Sequence, residues 1–255
     1  MKKVILFSLL LSAIFLWTAC SKNNPEEEPP GPNTGEAPNW QKPLTVTEYY
    51  GPHGLNPVTT YTYDEQGRLS GYQKKETRGY LEEEMLNSRY SGNTHTYEVH
   101  SYEWAGCELP VVFLHTDTYT DNSFTALIKQ VRVGQNMNIK ETITYTYKDG
   151  KLASYRMDNE GSYPEIYTTQ LIYQTGTPSK ETFPTDIISK TSLRDIIFED
   201  ANGFRTGYYT EGDHYKSGYL RKEWDFKYTD NGCTFNRESL KGTAQVQVVF
   251  YRKAD

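Results

Sequence analysis

The chain is poor in what builds helical bundles and membrane helices. Only 36% of its 255 residues are hydrophobic, and its mean hydropathy is -0.75. That polarity excludes a polytopic helical membrane protein, which needs repeated apolar runs of about 20 residues. Basic charge is also short: 27 Lys and Arg stand against 33 Asp and Glu, a net charge of -6. A phosphate backbone selects a basic surface, so nucleic acid is excluded as the main partner. The sequence has no G-x-S-x-G, no P-loop, no G-x-G-x-x-G after a strand, no H-E-x-x-H and no C-x-x-C. The common motif routes to an enzyme are therefore closed. What the chain has instead is aromatics: 22 Tyr, 10 Phe and 4 Trp. Aromatic residues suit pleated, half-buried surfaces, so the composition points to β structure.

Three segments follow from the pattern along the chain. Residues 1–19 begin Met1-Lys2-Lys3 and continue as an apolar run from Val4 to Trp17, interrupted by Ser8 and Ser12. The run has the length of a signal-peptide core and is too short to span a bilayer. It ends Trp17-Thr18-Ala19-Cys20, which resembles the bacterial lipobox. That resemblance implies cleavage before Cys20 and lipidation of its thiol. Trp17 departs from the aliphatic residue usual at that position. Residues 20–43 form a tether containing Pro25, Pro29, Pro30, Pro32, Pro38 and Pro43, with almost no apolar side chain before Trp40. Such a segment cannot bury enough surface to offset its ordering entropy. Glu26-Glu27-Glu28 within it resembles the acidic export signal of Bacteroidota surface lipoproteins, although it begins later after the Cys than in that family. The expected address is the outer membrane, with the surface and periplasmic faces both open.

Residues 44–255 read as one β domain. In Glu141–Tyr147, Ile143, Tyr145 and Tyr147 share one face, and Thr142, Thr144 and Thr146 the other. That alternation is a half-buried strand with a wet threonine face. Lys148-Asp149-Gly150 turns the chain, and Lys151–Met157 returns beside it. Comparable turns occur at Asp64–Gly67, Asp200–Gly203 and Asp230–Gly232. Further strands are expected at Leu44–Tyr50, Thr94–Trp104, Leu109–His115, Phe124–Val133, Glu165–Tyr173 and Gln245–Arg252. Short helical turns are expected at most at Tyr80–Leu86 and Ser189–Asp195. About a dozen strands make an all-β antiparallel meander of hairpins, closed as a barrel or strongly curved as a sheet. The polar faces carry Thr, Lys, Gln and Glu where a lipid-facing strand would be apolar, so the domain is expected to be soluble.

Tyr61–Leu69 (YTYDEQGRL) resembles the YD repeat of Rhs and teneurin-type proteins, and Tyr145–Leu152 is a shortened copy lacking the Asp after Tyr. The copies are irregularly spaced, so the encapsulating shells of those proteins are not implied. The whole layout of lipobox, Pro/Glu-rich tether and Tyr-x-Tyr hairpins looks like uncharacterised Bacteroidota lipoproteins with a porin-like fold. That resemblance implies a barrel-like meander without an assigned activity.

No catalytic residue, cofactor or metal site is expected. His115 and Asp117 are two apart and share a strand face, but a third ligand is not evident. His95 and His100, five apart, fall on opposite faces. Glu82-Glu83-Glu84 reads as a solvated run on a turn or helix. Cys107 and Cys233 form either a disulfide or two buried free thiols. Candidate binding aromatics are Tyr49, Tyr50, Tyr102, Trp104, Tyr208 and Tyr209, because Tyr and Trp join an apolar body to a polar tip. Of the neighbours Tyr208 and Tyr209, the pleat must turn one away from the core. The function expected from all this is a non-enzymatic binding module, held to the membrane through Cys20, for a glycan, a peptide or an envelope protein. The alternatives are a structural accessory of an envelope complex, docking by strand addition, or a hydrolase built from scattered acids.

Overall fold

Alternation of buried and less buried residues marks strands such as Val58–Tyr63, Ile139–Lys148 and Gly242–Phe250. The computed structural model describes residues 42–52, 54–102, 109–135, 137–161, 165–183, 193–211, 221–239 and 242–250. They form fifteen strands: β1 (Pro43–Tyr49), β2 (Val58–Tyr63), β3 (Leu69–Lys75), β4 (Leu81–Ser91), β5 (Thr94–Ser101), β6 (Val111–Tyr119), β7 (Leu127–Gly134) and β8 (Ile139–Lys148). They continue as β9 (Lys151–Gly161), β10 (Glu165–Thr175), β11 (Leu193–Glu199), β12 (Arg205–Glu211), β13 (Arg221–Thr229), β14 (Gly232–Ser239) and β15 (Gly242–Phe250). Each pairs with its neighbours in sequence, and β1 closes the ring against β15. The expected meander is therefore a closed barrel.

The ring departs from the expected antiparallel meander at one place: β10 and β11 are parallel. The reason is parity. Every antiparallel contact reverses the strand direction, so fifteen strands cannot return to the starting direction through antiparallel contacts alone. A parallel pair needs a long crossover rather than a hairpin. Its described part, Gly176–Phe183, lies on the outer wall over β11 to β13. Phe183 is 3% exposed and packs on Phe198 and Tyr209, with ring centroids 6.3 and 5.3 Å away. Lys180 Nζ sits 5.4 Å over the Trp224 ring and 3.0 Å from Glu238. Gly207 is required beneath this strap, because a Cβ there would meet Pro178 Cγ at 2.2 Å. Trp224 faces outward yet stays buried for this reason.

Elsewhere the inward face is aromatic and aliphatic, and the outward face is mostly polar. In β8 the Tyr/Ile face lies inside and the threonine face outside, as the alternation predicts. Ile143, Tyr145, Leu127, Leu152 and Met157 form one buried cluster. Val46, Tyr61, Cys233, Phe235, Val246, Val248 and Phe250 form another. Thr60, Thr62, Lys140, Thr144, Thr146, Arg156, Gln245 and Gln247 are exposed outside.

Tyr80–Leu86, expected as a helical turn, instead begins β4. Of the other expected turn, Ser189–Asp195, the last residues from Leu193 on lie in β11, and the first lie outside the described ones. Two expected turns share one device: Asp64 Oδ1 accepts the amides of Gln66 and Arg68 at 3.0 and 2.8 Å, and Asp200 Oδ1 those of Asn202 and Phe204 at 2.8 and 2.9 Å. Gly67 and Gly203 complete these turns with φ of +72° and +82°, which Gly adopts without steric cost.

Candidate functional site

The two ends of the barrel differ. At one end the strands are joined by tight hairpins, such as Asp64–Gly67, Gly92–Asn93, Asp149–Gly150 and Asp230–Asn231; Pro43 enters and Phe250 ends there. At the other, the connections are mostly longer, as between β1 and β2 or β5 and β6. We call these the hairpin end and the loop end. The charged residues of the inner face concentrate toward the loop end.

The densest group lies on β1, β12, β13 and β14. Glu223 is fully buried, and its Oε1 accepts Nε–H bonds from Arg221 at 2.6 Å and Arg237 at 2.9 Å. Arg221 Nη2 also contacts this oxygen. Arg205 Nη1 lies 4.0 Å from Glu223 Oε2. Arg237 Nη1 reaches across to Glu48, whose other oxygen accepts the Tyr50 hydroxyl at 3.0 Å. Burial alone would raise the Glu223 carboxyl; the guanidiniums of Arg221, Arg237 and Arg205 outweigh it and hold the group below the usual carboxylate range. Burial, joined by the like charge of Arg237, pulls Arg221 down, against Glu223. On the neighbouring β11, burial pushes Asp195 up to about 6, opposed by the Tyr208 hydroxyl and the charge of Arg221.

A second group spans β3, β4, β7 and β8. Tyr72 donates to Glu83 at 2.6 Å, and Lys74 pairs with Glu82 at 2.7 Å. Glu83 lies two residues from the inward Met85 and in unbroken register with it, so it enters the lumen and is buried rather than solvated. Arg132 stands over the Phe113 ring at 4.2 Å and lies 2.8 Å from Glu141. Burial raises both Glu83 and Glu141, with Arg132 opposing.

A third group runs toward the hairpin end as a ladder of rings. Tyr90 stacks on His95 at 4.0 Å, His95 meets Tyr97 at 4.7 Å, and Tyr97 stacks on His115 at 4.7 Å. Asp117 accepts from Gln130 at 2.8 Å and from Tyr97 at 3.2 Å, and burial still lifts its carboxyl to about 7. Burial lowers His95 to about 4 and His115 to about 3, so both are neutral spacers at physiological pH. His95 and His100 do fall on opposite faces. Among the described residues, no three His, Cys, Asp or Glu side chains could together hold a metal ion.

The candidate aromatics do not converge. Tyr49 faces outward and is 47% exposed, whereas Tyr50 lies at the mouth beside Glu48. Tyr102, after β5, donates to Glu84 at 2.9 Å. Tyr208 is buried inside the wall. Tyr209 is the neighbour turned outward, but Phe183 covers it. Trp104, Cys107 and Cys20 lie outside the described residues. Cys233 is a free thiol, 2% exposed in the core. Sequence reasoning passed over Glu48, Arg132, Glu141, Asp195, Arg221, Glu223 and Arg237. Their signal was a charge placed where the two-residue period expects a core side chain: Arg237 lies in line with Cys233 and Phe235, and Glu48 with Val46.

No protein-family model matches the chain. No curated protein matches it either. Among solved structures it is similar to a porin-like protein from Bacteroides uniformis, at 13% identity over 81% of this chain and 95% of that one, with a TM-score of 0.38. At that level the description of the barrel rests on its own strand pairing.

Proposed function

We propose that this chain is a lipid-anchored barrel of the outer membrane that stands in water and binds a polar ligand at its loop end, without chemistry. The observation that carries this is the contrast between its two surfaces. The outer wall presents Thr, Lys, Gln and Arg interspersed with exposed Leu86, Leu114, Val133 and Ile166, where a transmembrane barrel needs a continuous apolar band about 25 Å tall. A second set of charged side chains turns inward, and Arg221, Arg237, Glu48 and Tyr50 keep partial exposure at the loop end. The tether from Cys20 enters at the hairpin end, through Pro43, so an anchored barrel can present its loop end away from the lipid. Glycan, peptide and envelope-protein ligands all fit a mouth lined by Arg, Glu and Tyr. Closure into a ring leaves no edge strand, so docking by strand addition loses its template.

Hydrolysis is the second reading, because Glu83 and Glu141 are buried carboxyls on either side of Arg132, both shifted upward. It ranks lower because Glu141 is only 1% exposed and substrate would have to reach it.

Two measurements test the proposal. Cys20→Ala should move the chain from the membrane to the soluble fraction; retention after a carbonate wash would overturn both the lipid anchor and the water-facing wall. The full chain in mild detergent should capture a specific ligand on a glycan array, in a peptide screen or in an envelope pull-down. Turnover of a captured glycan, abolished by Glu83→Gln or Glu141→Gln, would replace binding with hydrolysis.

A further inference from the structure

We infer that the loop-end cluster of Arg221 and Arg237 is a receptor for a ligand carboxylate. This inference rests on the binding reading above and names the group that the mouth recognises. Both guanidiniums turn Nε toward the same oxygen of Glu223. Arg221 adds Nη2 to that oxygen, and Arg237 adds Nη1 to Glu48. An arginine offers five N–H donors in a rigid fork. Arg221 Nη1 and Arg237 Nη2 are thus not engaged by either carboxylate. Both side chains are also partly open to solvent, at 16% and 13%, while the Glu223 side chain that orients them is at 0%. Each fork is held by the buried Glu223 while its side chain stays partly open.

Three carboxyls, those of Glu48, Glu223 and Asp195, lie among the three guanidiniums of Arg205, Arg221 and Arg237. Burial first, and then the like charge of Arg237, lower Arg221, while against burial Glu223 and Glu48 raise Arg237. An incoming anion beside Arg221 meets donors already oriented for it, so little ordering cost remains. A planar carboxylate matches guanidinium edges in charge and geometry. The Tyr208 ring, 5.4 Å beneath the Arg221 guanidinium, supports one fork from the side. Lys74, the nearby lysine at this end, is already matched by Glu82.

A carboxylate can come from an acidic sugar or from a peptide C-terminus, and calorimetry on the full chain in mild detergent separates them. Glucuronate is titrated against its neutral methyl ester, and trialanine against its C-terminal amide. At least one acid should bind about tenfold or more tightly than its neutral partner, as expected for a charge-assisted hydrogen bond. Which pair discriminates identifies the source. Arg221→Lys and Arg237→Lys keep the charge but lose the fork, and each should weaken that acid about tenfold with the circular dichroism spectrum unchanged. If either variant fails to fold, the acid-to-neutral ratio on the unaltered chain decides. Equal binding of acid and neutral forms, or no binding of either acid at millimolar concentration, overturns the inference. A ligand captured by the broader screens but indifferent to both lysine variants would sink the carboxylate site alone. Silence in every screen would sink the binding proposal with it.

Discussion

The hairpin end and the loop end of this barrel bury their inner faces by different means. Toward the hairpin end, Leu127, Leu152, Tyr145 and Phe250 fill the space with apolar bodies, and tyrosine hydroxyls find backbone carbonyls, as Tyr147 does at Leu127 and Tyr63 at Pro43. Toward the loop end, Glu223, Arg221, Arg237, Glu48, Arg132 and Glu141 fill it with charge. Apolar packing tolerates a lost partner by partial collapse, whereas a buried ion loses most when its counter-charge goes. The first end is filled by apolar packing, and the second by oriented ion pairs.

Glu223→Ala should break this comparison most visibly. Removing the carboxylate shared by Arg221 and Arg237 takes both hydrogen-bonded contacts from Arg221 and leaves Arg237 with Glu48 alone, and should cost about 3–5 kcal/mol in urea unfolding. A loss under about 1 kcal/mol would mean that the loop end is more hydrated than its burial indicates. Ile143→Ala, on the apolar side, should cost about 2–5 kcal/mol, and added salt should leave that cost unchanged. Salt-sensitive destabilisation there would blur the distinction between the two ends.

The smallest effect concerns pH. Asp117 is lifted to about 7 by burial, well above the ordinary aspartate value. The unfolded chain therefore loses this proton near pH 4 while the folded chain keeps it. The stability contributed by the protonated group is full below pH 4, declines as pH rises and is lost by about pH 7. Asp117→Asn should remove that decline. The variant should match the parent at pH 4 and exceed it by about 1–3 kcal/mol at pH 8, after discounting for relaxation. A parallel pair of stability curves from pH 4 to 8 would show Asp117 already ionised in the fold.

Much of the wall was legible in the chain. The Tyr-x-Tyr and Thr-x-Thr alternation of Glu141–Tyr147 matches β8, and Asp64–Gly67 and Asp200–Gly203 are turns. Face assignment succeeds there because inward and outward residues differ in kind. It fails at Glu82–Glu84, where three acids look alike and Glu83 enters the lumen because it shares the face of Met85 on a strand read as a turn or helix. It fails again at Tyr209, whose outward direction was readable but whose cover, Phe183, arrives from the crossover.

Composition and periodicity alone determined an all-β domain of hairpins with tyrosine on one face and threonine on the other, because pleat and turn chemistry act over a few residues. Closure of β1 on β15, the parallel β10–β11 pair with its outer strap, and the convergence of Glu48, Arg221, Glu223 and Arg237 belong to the tertiary structure. Those contacts join residues far apart in the chain: Arg237 and Glu48 are 189 positions apart. No local rule ranks such pairings, and only the closing of the ring brings these charges face to face.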